Sequence, residues 1–263
     1  MSPLILIVLL NGAFERHAQS AQATALAHAF TAACENVSAI RYNPAALSLV
    51  HGNYLAVGYE HAFSGIEGLH NITLGYTRPL LWGGMGMQLS EFGFSEQKEQ
   101  AITLAYGMGF NESFKFGLGG DVYIIDNERT GRSYAFGLNF GLLGKLYKKW
   151  SMGVFAHNLN RPKFGSDEYA ELPPEIKAGL SYEPFDGILS EIDFSIKDDD
   201  LRIHVAGEFE LFDMLYLRTG VITNPMVVAG GAGIVYKFIR FDYSAEFIPE
   251  LPLSHSATIS FVF

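Results

Sequence analysis

His204 lies between Arg202 and Glu208 in a run whose intervening residues, Leu201, Ile203, Val205, Phe209 and Leu211, are apolar. With a period of two, Arg202, His204 and Glu208 share one face of a strand. The same alternation puts Asp193, Arg218, Arg240 and Asp242 on the matching face of neighbouring strands. An imidazole beside a carboxylate is the minimum equipment for general acid–base chemistry, and a lipid hydrolase using His204 and a neighbouring acid is the weaker reading of this set. The stronger is a mutually neutralising polar network lining a narrow interior, where ionisable groups need partners because water is scarce. The eight histidines show no metal-ligand spacing. No glycine-rich phosphate loop followed by Lys-Ser or Lys-Thr occurs, and Gly230-Gly231-Ala232-Gly233 falls inside a strand-like segment. No cofactor, no metal and no enzymatic activity are therefore expected.

The elements that must position these residues are strands between two environments. In the final stretch, Ala257, Ile259, Phe261 and Phe263 alternate with Ser256, Thr258 and Ser260. A closed barrel pairs such a strand with the first one and leaves no open edge. The terminal Phe resembles the C-terminal signature of bacterial outer-membrane proteins, which implies recognition by the barrel-assembly machinery. After Gly52 the chain is a succession of such segments, with cores near 53–61, 69–77, 80–90, 100–110, 113–125, 133–146, 149–159, 174–182, 188–197, 201–211, 214–223, 226–237, 239–247 and 255–263. About fourteen antiparallel strands of about 9–11 residues suit a transmembrane barrel. Connections alternate: 62–68, 91–99, 126–132 and 160–173 read as long loops, and 78–79, 111–112 and 147–148 as tight turns. Trp82, Trp150, Tyr182, Phe185, Phe212 and Phe263 fall near strand ends, as interfacial girdles require.

Composition bounds the alternatives. Only 17% of the 263 residues are charged and 49% are hydrophobic, yet no apolar run of about 18 residues provides a transmembrane helix. A soluble sandwich would leave fewer alternating charged partners for so many aromatics. The net charge of −10 argues against nucleic acid as a partner. The lone Cys34 permits no internal disulfide and is expected to be buried. Residues 1–23 carry a short apolar run and Ala21-Gln22-Ala23, as in a signal peptide and its cleavage site. Residues 24–51 are Ala-rich; a short helix over Thr24 to Cys34 with Thr24 as N-cap, then a turn at Asn43-Pro44, forms a plug or cap at or in the lumen. Residues 52–263 are the barrel.

Three stretches carry a family resemblance. Thr24-Ala25-Leu26-Ala27 through Asn43-Pro44-Ala45 looks like the N-terminal helix and Asn-Pro-Ala motif of FadL-like outer-membrane proteins. Met152 to Leu159, which includes Asn158, is followed by Leu172-Pro173-Pro174-Glu175 through Tyr182. The third stretch runs from Gly207-Glu208-Phe209 to Leu251-Pro252-Leu253-Ser254-His255, where His255 matches a family position near the last strand or is a loop histidine. In order and spacing these resemble the PorV/PorQ family, compact FadL-like barrels associated with type IX secretion. The resemblance implies a non-enzymatic protein of the outer membrane of a Gram-negative-type bacterium, surrounded by outer-membrane lipid. Its role there would be docking of secreted or surface proteins or, alternatively, FadL-like passage of small hydrophobic molecules such as fatty acids.

Overall fold

The computed structural model describes residues 14, 20–64, 68–94, 97–128, 131–165 and 171–263. Residues 1–13 and 15–19, on which most of the signal-peptide reading falls, lie outside them. Fourteen antiparallel strands close into one barrel in sequence order: β1 (Tyr54–His61), β2 (His70–Leu80), β3 (Gly83–Phe94), β4 (Gln97–Gly109), β5 (Phe114–Asn127), β6 (Gly131–Tyr147), β7 (Trp150–His157), β8 (Glu175–Phe185), β9 (Ile188–Lys197), β10 (Asp200–Leu211), β11 (Leu215–Ile222), β12 (Val227–Tyr236), β13 (Ile239–Phe247) and β14 (Ser254–Val262). The seam is β1 on β14, with Tyr54 opposite Val262 and His61 opposite His255. Closure leaves no strand edge running the height of the wall.

Each strand alternates as its sequence requires. On β13, Phe241, Tyr243 and Phe247 are exposed while Asp242, Ser244 and Glu246 are buried. The exposed apolar residues form an outward-facing belt, and bulky aromatics such as Trp82, Phe110, Phe185, Phe212 and Phe263 crowd the rim of short turns. At the opposite rim, two of the expected long loops are not loops. β3 runs to Phe94 and pairs there with Gln97 of β4, and β5 runs to Asn127 and pairs there with Gly131 of β6. Their polar residues are cross-strand partners, with Lys98 Nζ donating to Glu91 Oε1 at 3.0 Å and Arg132 Nε to Asp126 Oδ2 at 3.1 Å. The connections at 62–69 and 158–174 are long, as expected.

The wall steps down sharply between β6 and β7. β6 is 17 residues long and β7 only 8. The last β6–β7 partners toward the long-loop rim are Phe140 and Ala156, so the upper part of β6 has a strand on its β5 side alone. The loop after β7 takes over: Leu159 N donates to Leu138 O at 2.9 Å, and Asn160 accepts from Leu138 N and donates to Phe136 O. Phe164 and Leu172 of this loop turn inward against Tyr123, Ala101 and Ala135.

Inside the barrel lies the chain that precedes β1. A five-residue helix, α1 (Ala21–Ala25), packs on β11 to β14, a second short one, α2 (Ala39–Tyr42), sits against β3 and β4, and the 3-10 turn Pro44–Leu49 rests on β2 to β6. The segment thus crosses the lumen from wall to wall. The helix is displaced from its expected place: Ser20, not Thr24, is the N-cap, accepting from Ala23 N at 3.2 Å, and left-handed Ala27 and His28 follow its end. Beyond them, the N–H groups that would continue the helix are taken by wall carboxylates.

Inward glycines let backbone meet backbone. A Cβ on Gly107 would lie 2.2 Å from Pro44 O, on Gly117 2.3 Å from Pro44 C, and on Gly153 2.3 Å from Thr31 O. Such contacts leave no side chain to give way. Gly117→Val should therefore displace the plug while the barrel persists, at a cost of about 1–3 kcal/mol or more. Planar-bilayer recordings should show a rise in conductance over the parent. Unchanged conductance in a folded barrel would mean that the turn does not close the lumen.

Candidate functional site

The lumen is held shut by a few buried polar side chains. Asp193, 0% exposed on β9, accepts from Phe30 N and Thr31 N at 3.1 Å each and from Thr31 Oγ1 at 2.6 Å. Two residues away on the same face, Glu191 accepts from Ala32 N at 2.6 Å. Backbone donors buried without water need partners, and these carboxylates supply them. Asn43, also 0% exposed, donates to Thr31 O at 3.0 Å and Leu142 O at 2.9 Å while its Oδ1 caps Ala45 N. The Asn-Pro-Ala turn thus ties the plug to itself and to β6.

The residues expected to form one network occupy separate places. Arg218 donates to Asp242 Oδ1 at 2.7 Å and pairs with Glu208; Arg240 reaches Asp242 Oδ2 at 2.9 Å and Glu35 of the plug at 3.1 Å. This ion cluster stands toward the short-turn rim. His204, 4% exposed, contacts Ala27 O through Nδ1 at 2.8 Å and Ser195 Oγ through Nε2 at 3.0 Å. The carbonyl fixes the tautomer, with Nδ1 donating and Nε2 accepting the serine hydroxyl. A serine held by histidine is the geometry of an activated nucleophile. Here the third member is a plug carbonyl rather than a carboxylate, and Ser195 is 2% exposed, so the pair fastens the turn after α1. Asp193 belongs to the plug anchor, and Arg202 stands apart from all of these.

Alternation alone did not single out a further cluster on the β4–β8 side. Asp121 accepts from Thr103 Oγ1 at 2.5 Å and Asn139 Nδ2 at 2.6 Å, and Tyr123 OH lies 2.9 Å from both His157 Nε2 and Asn158 Oδ1. Arg41 of α2 meets His157 Nε2 at 2.5 Å. The cluster therefore joins the plug, through Arg41, to the loop after β7, through Asn158. The i, i+2 pair Asp121 and Tyr123 on an inward face was its available signal. Pro173 lines the lumen just past this loop. His255 is on β14 and not in a loop: it faces outward, with Nδ1 2.6 Å from Tyr243 OH.

The plug leaves a cavity on each side. Toward the short-turn rim the space is about 470 Å³, and its described lining carries Glu35, Glu183, Glu208, Glu210 and Asp242 against Lys237 and Arg240. Toward the long-loop rim it is about 300 Å³, with Arg41, Lys177, Lys197 and Arg202 against Glu175 and Glu246. Among the described residues no group of acidic, His and Cys side chains suits a metal ion.

No protein-family model and no curated protein matches this chain. Its fold is similar to that of the CymD monoaromatic hydrocarbon channel, at TM-score 0.69 and 14% identity over 95% of this chain and 99% of that one. The toluene transporter TodX of Pseudomonas putida is similar at TM-score 0.69 and 13% identity, over 96% and 99% of the two chains. Outer membrane protein Omp33 of Acinetobacter baumannii matches at TM-score 0.53 and 9% identity, over 82% and 100%. The fold is thus that of outer-membrane β-barrels. None of these neighbours is described as an enzyme.

Cys34 offers a check on plug integrity. It is 4% exposed, and burial, with Glu191 and Asp193 nearby, holds its thiol well above the ordinary range. The folded form keeps a proton that the released plug loses at alkaline pH, so plug docking is fully stable below the ordinary thiol pKa and weakens as pH rises past it. Maleimide labelling at pH 8 should be at least about 100-fold slower in the folded protein than in denaturant. Asp193→Ala, which strands the donors of residues 30 and 31, should cost about 2–4 kcal/mol of docking and restore labelling; parent-like protection in that variant would show that the anchor is dispensable.

Proposed function

We propose that this protein sits in the outer membrane of a Gram-negative-type bacterium and passes small hydrophobic molecules through a plugged barrel. The observation that carries the reading is the step between β6 and β7 beside a partly apolar cavity. There the wall is completed by a loop instead of a strand, and loops open at lower cost than ladders. Exposed Phe136 and Leu138 flank the step on its lipid side, and buried Phe164 and Leu172 close it from within. An apolar solute could leave sideways along this surface without crossing the ion cluster. The neighbours named for hydrocarbon and toluene transport support the reading through their shared architecture, and passage requires no catalytic group.

A second reading is favoured by the occupied centre of the lumen. Residues 20–50 are pinned by Asp193, Glu191, His204 and Arg240, and a filled barrel is the scaffold that the PorV/PorQ resemblance implies for docking secreted proteins. The two readings part on flux. In proteoliposomes the protein should speed propylbenzene entry several-fold over barrel-free vesicles while excluding glucose. Asn160→Ala, which removes two hydrogen bonds between the loop and β6 and about 1–2 kcal/mol of closure, should raise that rate further. No acceleration in either protein would sink the passage reading and leave the docking one.

A further inference from the structure

We propose that a row of three histidines on the outer face of the barrel, His255, His61 and His70, is a site for the phosphate monoester of a membrane lipid headgroup, occupied when the rings are protonated. His61 of β1 stands directly opposite His255 of β14 on one side and His70 of β2 on the other. Their chain neighbours Glu60, Asn71 and Ser254 are buried, so the three rings point away from the lumen. Direct cross-strand partners have Cβ atoms about 4.5–5.5 Å apart, which brings adjacent rings within reach of one small anion. The row ends on small residues, Ala245 of β13 beyond His255 and Gly93 of β3 beyond His70. Neither flanking strand walls it off at that level.

The height of the row and its unused nitrogens name the ligand. Immediately below it the outward residues are exposed and apolar or aromatic: Tyr59 and Val57 on β1, Ile72 and Leu74 on β2, and Tyr243 on β13. Tyr59 stacks on His70 with ring centroids 6.3 Å apart, and Tyr243 on His255 at 6.1 Å. Tyrosine at the edge of an apolar belt marks headgroup level, and the long-loop end of such a barrel is the outer one. His70 Nδ1 lies 2.8 Å from Gly68 O, which can only accept, so the neutral ring keeps a lone pair on Nε2. His255 Nδ1 is 2.6 Å from Tyr243 OH, and among the described residues the His61 side chain makes neither a hydrogen bond nor an ion pair. A metal ion would use such lone pairs, but no group of three described side chains suits one. Protonation turns them into N–H donors, and three like charges in one row favour an anion between them. A phosphate monoester brings three acceptor oxygens. The described charges around the row do not supply that anion. Glu91, the outward carboxylate of β3, is held by Lys98 at 3.0 Å and Gln100 at 2.6 Å; Glu60 and Glu246 face the lumen, and exposed Glu250, on the connection to β14, pairs with none of the three.

The inference rests on the placement of the apolar belt in an outer membrane and is independent of passage through the lumen. Titration calorimetry on the detergent-purified full chain tests it, with dihexanoyl phosphatidate, dihexanoyl phosphatidylcholine and inorganic phosphate as probes at about pH 5.5 and pH 8. Phosphatidate should bind about 10-fold more tightly at the lower pH. Its own negative charge falls there, so the gain can come only from the protein. His61→Gln should remove most of that gain, and His61→Gln combined with His70→Gln and His255→Gln all of it. His51→Gln, at an exposed histidine before β1, should keep it. Heat-modifiable gel migration reports folding of each variant; if the triple variant does not fold, His61→Gln decides, and a parent-like pH dependence there overturns the proposal. So does a gain that survives in a folded triple variant. Equal binding of phosphatidylcholine at the lower pH would assign the affinity to acyl chains, and equal binding of inorganic phosphate to a free anion; either overturns the lipid site. No phosphatidate binding at either pH sinks the site and spares the membrane placement, whereas the expected binding by a protein absent from the outer-membrane fraction keeps the site and sinks that placement.

Discussion

A polypeptide laid across a barrel lumen brings backbone N–H and C=O groups into a space where wall side chains must replace water. Everything distinctive in this molecule follows from meeting that demand. The wall answers in two ways. Where the plug presents donors, as at residues 30–32, it offers Asp193 and Glu191; where the plug presents bulk, as at Pro44 or Thr31, it offers glycine. Gly84, Gly107, Gly117, Gly153 and Gly220 thus mark where the plug's backbone touches the wall's.

The strands were legible because this barrel wall separates an apolar outer face from a polar interior, and that separation imposes period two on every segment of the wall. Residues 188–197 and 239–247 were read to the residue. The strand ends within 91–99 and 126–132 were not, because beyond the apolar belt the outward face turns polar and alternation fades, although β3 still pairs with β4 and β5 with β6. The plug was least legible. Its alanines favour a helix over Thr24 to Cys34, but the chain is turned after residue 25 by partners about 160 residues away, which no local propensity carries. For the site, alternation told which residues face inward but not their height. Register alone sets Glu208 opposite Arg218 and leaves Arg202, six residues up the same strand, beyond that cluster. The Asp121, Tyr123 and His157 cluster faced inward by the same rule and lacked only the pairing that assembles it.

The two cavities have opposite character although one segment separates them. Below the plug, carboxylates outnumber cations and most are consumed by Arg218 and Arg240; above it, cations are in excess among the described residues. In a low-dielectric wall such an imbalance is felt across several ångströms. An anion held above the plug would meet repulsion below it.

Ala21 N donates to Thr258 on the last strand, 237 positions away, and Tyr54 pairs with Val262. Both contacts require the two ends of the barrel to be present together. Residues such as Ala23, Thr31 and Asn43, with at most a trace of exposed surface, have no route in through a finished wall that is notched to their backbone. The plug must therefore be wrapped during biogenesis rather than threaded afterwards. The last strand then acts as a latch, admitting closure only around a chain that has already found its place.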